Sequence, residues 1–110
     1  MAKSPSCVCS HTDNLQSPAF MAKSLGDENR LRILLLLSDG KKSVSRIGEA
    51  LELSQPLESH HLKEVRRALL VNVERKGPFV YYELADPELL SIITDLNTVE
   101  QKLLKNRQTF

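Results

Sequence analysis

The feature that most constrains this chain is a change in the period of its apolar residues near position 70. Before that point, apolar residues recur at helical spacing in the segments 33–37, 44–51 and 54–68, and the joints between these segments are very short. Helices joined so closely are typical of a helix-turn-helix. After that point, apolar and polar residues alternate over 71–73 and 80–84, as in strands with one buried face. Gly77, between the two runs, supplies the positive φ that a hairpin turn needs.

Polar residues mark where the helices begin. Asp27, Ser43 and Ser54 are N-cap residues, because their side-chain oxygens accept the free amide hydrogens of a first turn. Asp86-Pro87-Glu88 opens a last helix with an acid at the positive end of its dipole, and a first helix begins near Pro18. The resulting order, α1-α2-α3-α4-β-β-α5, predicts a mainly α fold with a small β-hairpin wing, which is a winged helix-turn-helix.

Length and composition limit what such a chain does. Its 110 residues suffice for one domain, and no apolar run is long enough to cross a membrane. Residues 1–13 are small and polar and predict a flexible tail, so the domain is expected over 14–106.

Two cysteines form no disulfide framework and no signal segment opens the chain, which favours a cytoplasmic location. The formal net charge is only +1, but residues 41–82 hold eight basic against five acidic side chains, so a phosphate-binding surface is expected there.

Three segments resemble the ArsR/SmtB family of bacterial repressors. LGDENRLRILLLL (Leu25–Leu37) is similar to the opening motif of that family, LSQPLESHHLKEVRRALLV (Leu53–Val71) to its recognition helix, and GPFVYYEL (Gly77–Leu84) to the return strand of its wing. The resemblance implies a homodimeric, sequence-specific DNA-binding regulator of transcription, which represses and is released by a ligand, metal or metalloid. It also implies a dimer interface formed by the first and last helices.

The chain departs from the family pattern at several positions. Glu58 stands where the family usually has an apolar residue, Leu69 replaces a common glycine, and Pro78 replaces a frequent arginine of the wing. The third helix, SVSRIGEAL, lacks the cysteine pair of the family, and the last helix lacks the His and Asp pairs that bind zinc in other members. These differences predict an altered turn after the recognition helix and a weaker minor-groove contact by the wing.

The fourth helix carries the main candidate site. Its outward face is expected to present short hydrogen-bonding groups and a cation: Ser54, Gln55, Ser59, His60 and Lys63. Such side chains read base edges in the major groove, since glutamine pairs with adenine, serine with several bases, and lysine with guanine or phosphate. Arg75 and Lys76 of the wing, together with Lys42, are expected to contact phosphate. The alternative is an ordinary solvated helix face and a soluble hairpin tip.

The last helix is expected to pair with a second copy of the chain. Its apolar residues are spaced by three and four positions, which is the pattern of a seam for another helix: Leu89, Ile92, Leu96, Val99 and Leu103. These residues and Leu15 form the predicted interface, while Leu90, Ile93 and Leu104 are placed on the core side. The alternative is one broad stripe that faces the protomer's own core. Two-fold symmetry would place two recognition helices one DNA turn apart, on an imperfect palindrome.

A second candidate site lies near the N-terminus. Cys7, Cys9 and His11 alternate along the chain, so in an extended segment their side chains converge on one thiophilic metal or metalloid ion. Thiol redox sensing and a tail with two idle thiols stay open as alternatives. The neighbouring His60 and His61 point about 100° apart on a helix and cannot readily chelate one ion. His60 is instead expected to face DNA, and His61 to lie at the edge of the core.

Two other classes of function compete with DNA binding. An enzyme has little support, because the chain shows no nucleophile–histidine arrangement, no glycine-rich phosphate loop and no paired carboxylates. A winged helix that serves as a protein–protein adaptor, without specific DNA binding, would suit the near-neutral net charge and Pro78. A titration with DNA separates the adaptor from the regulator.

Overall fold

The helices and strands follow the predicted order. The computed structural model describes residues 15–107, with α1 (Gln16–Ser24), α2 (Glu28–Leu36), a 3-10 turn (Leu37–Asp39), β1 (Lys42–Ser43), α3 (Val44–Leu51), α4 (Gln55–Arg67), β2 (Val71–Lys76), β3 (Phe79–Leu84) and α5 (Glu88–Asn106). This mainly helical architecture, with the hairpin β2–β3 after the helix-turn-helix α3–α4, confirms the predicted fold class. The sequence does not predict β1, because two residues are too few to show an alternating pattern.

Side-chain N-caps mark the first turns of α2, α3 and α4. The last two of these form the helix-turn-helix, and α2 packs against both. The Asp27 carboxylate accepts two amide hydrogens of α2 at 2.8 and 3.3 Å. The Ser43 hydroxyl accepts one from α3 at 3.2 Å, and the Ser54 hydroxyl accepts one from α4 at 3.4 Å. All three predicted N-caps are therefore confirmed, and each satisfies an amide that has no partner within its helix.

The wing is a three-stranded antiparallel sheet in the order β1-β3-β2. Lys76 pairs with Phe79, so only Gly77 and Pro78 connect β2 to β3. Gly77 has a φ of 59°, whereas the ring of Pro78 restricts that residue to negative φ. A type I′ turn needs positive φ at both central residues, so the turn is type II′, which has glycine first.

The core surrounds α2. Ile33 and Leu34 of α2 are fully buried, together with Ile47 of α3, Val65 of α4 and Leu70 after α4. Because α3, α4 and α5 all contact α2, the inner face of α4 is fixed and its outer face is left to solvent. No helix within residues 15–107 combines the length and the apolar character needed to span a bilayer.

The turn after α4 keeps a glycine-type geometry although it contains Leu69. The N–H of Leu69 donates to the carbonyl of Arg66 at 3.0 Å, and the N–H of Leu70 donates to the carbonyl of Val65 at 3.0 Å. This pair of bonds is a Schellman motif, which requires a left-handed residue after the helix. Leu69 adopts that conformation with a φ of 65°, and its side chain is exposed. The altered turn expected from the sequence is therefore absent, and the leucine is held in a conformation that disfavours a Cβ.

Replacing Leu69 with glycine is expected to stabilise the protein by about 1 kcal/mol, because glycine adopts the left-handed conformation without strain. Urea denaturation followed by circular dichroism measures the change. Leu69→Ala is the control, since alanine removes the same exposed side chain and keeps the Cβ. Equal stability of the glycine and alanine variants would show that the backbone is not strained here.

Candidate nucleic-acid interface

The outer face of α4 presents the polar residues that the sequence placed there. Gln55, Ser59, His60 and Lys63 are all exposed, and the first, second and fourth of them follow one another at four-residue spacing. Ser54 is exposed at the N-terminus of the helix, where its hydroxyl already accepts the amide hydrogen of the first turn. Gln55, Ser59 and Lys63 therefore form one exposed strip along α4, whereas His60 lies about 100° to one side of Ser59 and Ser54 precedes the helix.

The inner face of α4 is anchored through His61. This side chain is 4% exposed, its Nδ1 lies 3.3 Å from the guanidinium of Arg30, and its Nε2 lies 3.8 Å from a carboxylate oxygen of Asp27. Arginine only donates hydrogen bonds, so Nδ1 is the acceptor and the neutral ring carries its proton on Nε2, towards Asp27. Burial lowers the pKa of His61, in agreement with the neutral form. The predicted position of His61 is confirmed, and the network ties α4 to the start of α2.

A cleft of about 460 Å³ separates α4 from the wing and is lined by cations. Lys63 and Arg66 of α4 face Arg75 of β2 across an apolar floor. Among residues 15–107, no carboxylate forms an ion pair with any of these three cations. Such a cleft attracts anions. Arg66 was not among the DNA-binding residues predicted from the sequence, although its position three residues after Lys63 continues the same exposed strip.

The other two predicted phosphate contacts, Lys42 and Lys76, differ in how closely a carboxylate holds their ammonium groups. Lys76 is exposed on the wing, with Glu74 at 3.8 Å. The ammonium of Lys42 lies 2.6 Å from the Asp39 carboxylate, and only 18% of its side chain is exposed. A phosphate contact by Lys42 would therefore have to displace Asp39, because β1 holds the side chain beside this carboxylate. Lys63, Arg66 and Arg75 meet no such competitor in the part of the chain that the structure describes.

Most of the predicted interface residues on α5 are exposed and apolar. Ile92, Leu96, Val99 and Leu103 are between 45% and 63% exposed, and Leu15 before α1 is 49% exposed. Leu96 also lines an apolar groove of about 560 Å³ between α2 and α5.

Leu89 and Leu104 of α5 do not lie where the sequence predicts them. Leu89, predicted in the exposed seam, is only 6% exposed and belongs to the protomer's own core. The first turn of α5 lies against that core, and the helix extends away from it further along. Leu104, placed on the core side, is exposed for the same reason.

The predicted metal or redox site at Cys7, Cys9 and His11 lies outside the described residues. Within residues 15–107, no group of three or more His, Cys, Asp or Glu side chains is arranged to hold a metal ion.

The geometry defines a class of protein. A helix-turn-helix with an exposed polar second helix, followed by a hairpin with a basic cleft, is a winged helix-turn-helix domain. Residues 27–73, which run from the cap of α2 into the wing, match the family model described as bacterial regulatory protein, arsR family. The chain belongs to this ArsR family.

Several relatives of known name agree with this assignment. The chain is 40% identical over 75 residues to the arsenic resistance transcriptional regulator ArsR1 of Pseudomonas putida, which covers 67% of this chain and 59% of that protein. It is 36% identical over 80 residues to the transcriptional activator HlyU of Vibrio cholerae, covering 73% and 74% of the two chains. The chain thus spans less than two thirds of the ArsR1 protein that it matches.

Solved structures share the fold. The solved structure of HlyU from Vibrio cholerae superposes with a TM-score of 0.70 at 34% identity, over 80% of this chain and 96% of that chain. A solution structure from Mycobacterium bovis superposes with a TM-score of 0.73 at 26% identity, over 84% of this chain and 85% of that one. The latter is a homodimeric winged helix-turn-helix DNA-binding domain.

Proposed function

We propose that the protein is a sequence-specific DNA-binding regulator of transcription, with α4 as the helix that enters the major groove. The observation that carries the proposal is the exposed polar strip of α4, formed by Gln55, Ser59 and Lys63, beside the cleft lined by Lys63, Arg66 and Arg75. Glutamine makes two hydrogen bonds to adenine, and lysine donates to the acceptors of guanine. We assign the reading of bases to Gln55, Ser59 and His60. Lys63 is assigned contacts with both guanine and phosphate.

The cleft gives the backbone of DNA a defined path. With α4 in the major groove and the wing over the adjacent minor groove, the sugar–phosphate strand between the grooves runs through the cleft. Lys63, Arg66 and Arg75 line that path from both sides. Phosphate contacts of this kind supply affinity and its dependence on salt, while the base contacts supply the choice of sequence.

A homodimer that covers the exposed face of α5 is the second part of the proposal. Four apolar side chains on one helix are unfavourable in water and would be buried by a second copy. The Mycobacterium bovis neighbour is a homodimer, which supports this arrangement. A two-fold dimer presents two α4 helices to one face of the duplex, so the operator is an imperfect palindrome.

The direction of regulation that we propose is repression in the bacterial cytoplasm. The relatives include the transcriptional repressor SdpR of Bacillus subtilis, 39% identical over 62 residues, and also the activator HlyU. A dimer on a promoter excludes polymerase, and a repressor of this kind is released when an effector favours a conformation with a different spacing of its two α4 helices.

Selection from a pool of random DNA duplexes tests the proposal. The purified protein is expected to enrich palindromic sequences and to bind them at least about a thousandfold more tightly than scrambled duplexes at physiological salt. Fluorescence anisotropy measures both affinities. Failure to enrich any sequence, with equal and weak binding to all duplexes, would instead favour the protein–protein adaptor.

Substitutions in α4 and in the cleft are expected to separate base reading from phosphate binding. Gln55→Ala or His60→Ala should weaken binding to the selected duplex by about 1–3 kcal/mol and leave binding to scrambled DNA nearly unchanged. Arg66→Ala or Lys76→Ala should weaken both alike and reduce the slope of log affinity against log salt by about one. Anisotropy titrations at several salt concentrations measure these effects. An equal loss on both duplexes for Gln55→Ala and His60→Ala would contradict the base-reading role.

A further inference from the structure

The tip of the wing is apolar and projects from the protein. A Cβ added at Gly77 would meet no atom within 4 Å, so the two-residue turn stands in open space. Phe79, the first residue after that turn, is 54% exposed. Its ring lies 6.4 Å from the ring of Tyr81, with a tilt of 46° between them. The turn is short and contains proline, so this exposed aromatic side chain is held at a rigid end of the molecule.

Cations flank this apolar tip. Lys76 is the cross-strand partner of Phe79, with 60% of its side chain exposed and the Glu74 carboxylate 3.8 Å from its ammonium. Arg75, one residue before it, lines the cleft between α4 and the wing. An apolar wedge with basic flanks matches the minor groove of duplex DNA, where phosphates form both rims and deoxyribose groups form the walls. The tip is also continuous with the DNA interface proposed for α4, since β2 contributes to both.

We propose that Pro78 and Phe79 enter the minor groove beside each half-site, with the Phe79 ring wedged at a base-pair step. The inference rests on the proposed function, because it requires α4 in the adjacent major groove. Apolar side chains inserted in this way unstack the step and bend the duplex towards the major groove. Pyrimidine–purine steps such as TA and CA unstack most easily, so the flanking sequence affects affinity without any hydrogen bond to its bases.

The test uses a duplex recovered from the random pool, with the flanking step changed to TA, CA or GC and 2-aminopurine placed beside it to report unstacking. Wild-type protein is expected to bind the TA and CA duplexes about tenfold more tightly than the GC duplex and to raise the 2-aminopurine fluorescence. Phe79→Ala should lose both effects, and Phe79→Leu should keep most of each. Leu69→Ala, which removes an exposed apolar side chain elsewhere, should behave as wild type.

The Phe79→Ala variant tests the wedge alone, whereas recovery of a duplex from the pool tests the proposed function. Wild-type flank preference and fluorescence in Phe79→Ala would overturn the wedge while the proposed function stands. A wild-type protein that recovers no duplex from the pool would overturn the wedge and the proposed function together.

Discussion

Replacing Leu96 with aspartate is expected to dissociate the dimer. Leu96 is 55% exposed in the protomer and lines the apolar groove between α2 and α5, so a second copy would bury it. The variant would bury an unpaired carboxylate in each protomer, and a buried charge without a partner costs about 3–5 kcal/mol. The dimer dissociation constant should therefore rise by at least about a hundredfold. Sedimentation velocity over a range of concentrations measures the monomer–dimer equilibrium.

Thr98→Asp is the matched control for this charge. Thr98 is exposed on α5 two residues further along, and helical geometry turns it roughly 160° away from Leu96, out of the apolar seam. This variant should remain dimeric, and circular dichroism should show that both variants stay folded. A folded, dimeric Leu96→Asp, or a wild type that is monomeric at micromolar concentration, would contradict the proposed interface.

A methionine in place of Glu58 is expected to stabilise the fold by about 1–3 kcal/mol above neutral pH. Glu58 is buried on the inner face of α4, and within the described residues its Oε2 has no hydrogen-bond partner. Its carboxyl group lies against α3, since a Cβ on Gly48 would come within 2.7 Å of Oε1. Methionine has a similar length without branching, and it buries no charge.

The stabilisation should depend on pH. Burial raises the pKa of Glu58, and a backbone hydrogen bond from Gly48 opposes that rise. The folded protein therefore binds this proton more tightly than the unfolded chain does, so the stability of wild type falls as pH rises from the ordinary glutamate range through the raised pKa. Glu58→Met removes that fall, so its advantage over wild type should be small in acid and largest in base.

Urea denaturation at several pH values measures this difference, and Glu49→Met on the exposed side of α3 is the control. A second comparison isolates the contact with Gly48. Gly48→Ala should add about 1 kcal/mol in a Glu58→Ala background, as alanine does in a helix, and should add less in wild type, where its Cβ would displace the carboxyl group. Parallel stability–pH curves for wild type and Glu58→Met would contradict the cost assigned to the buried carboxyl.

Local rules account for much of the fold and for the exposed strip of α4. The N-caps at Asp27, Ser43 and Ser54 and the turn at Gly77 depend on residues within a few positions, so their patterns are visible in the sequence. The outward position of Gln55 and its neighbours follows from the helical period once the inner face is known.

Features set by contacts between distant segments were not predictable in the same way. The cleft exists because β2 lies beside α4, so the position of Arg66 in its wall can be recognised only once the wing is placed. Lys42 belongs to a strand too short to recognise, and its pairing with Asp39 limits its freedom. The burial of Leu89 reflects where α5 leaves the core, which the spacing of its leucines does not encode.

Whether α4 reads bases in the major groove is tested most directly by replacing single purines of the selected half-site with 7-deazapurines. This replacement removes only the N7 acceptor, which faces the major groove. Wild-type protein should lose about tenfold in affinity when the adenine contacted by Gln55 is replaced, and Gln55→Ala should bind the parent and the 7-deazaadenine duplex equally well. Wild-type binding that is unchanged by every 7-deazapurine in both half-sites would contradict the assignment of α4 as the recognition helix.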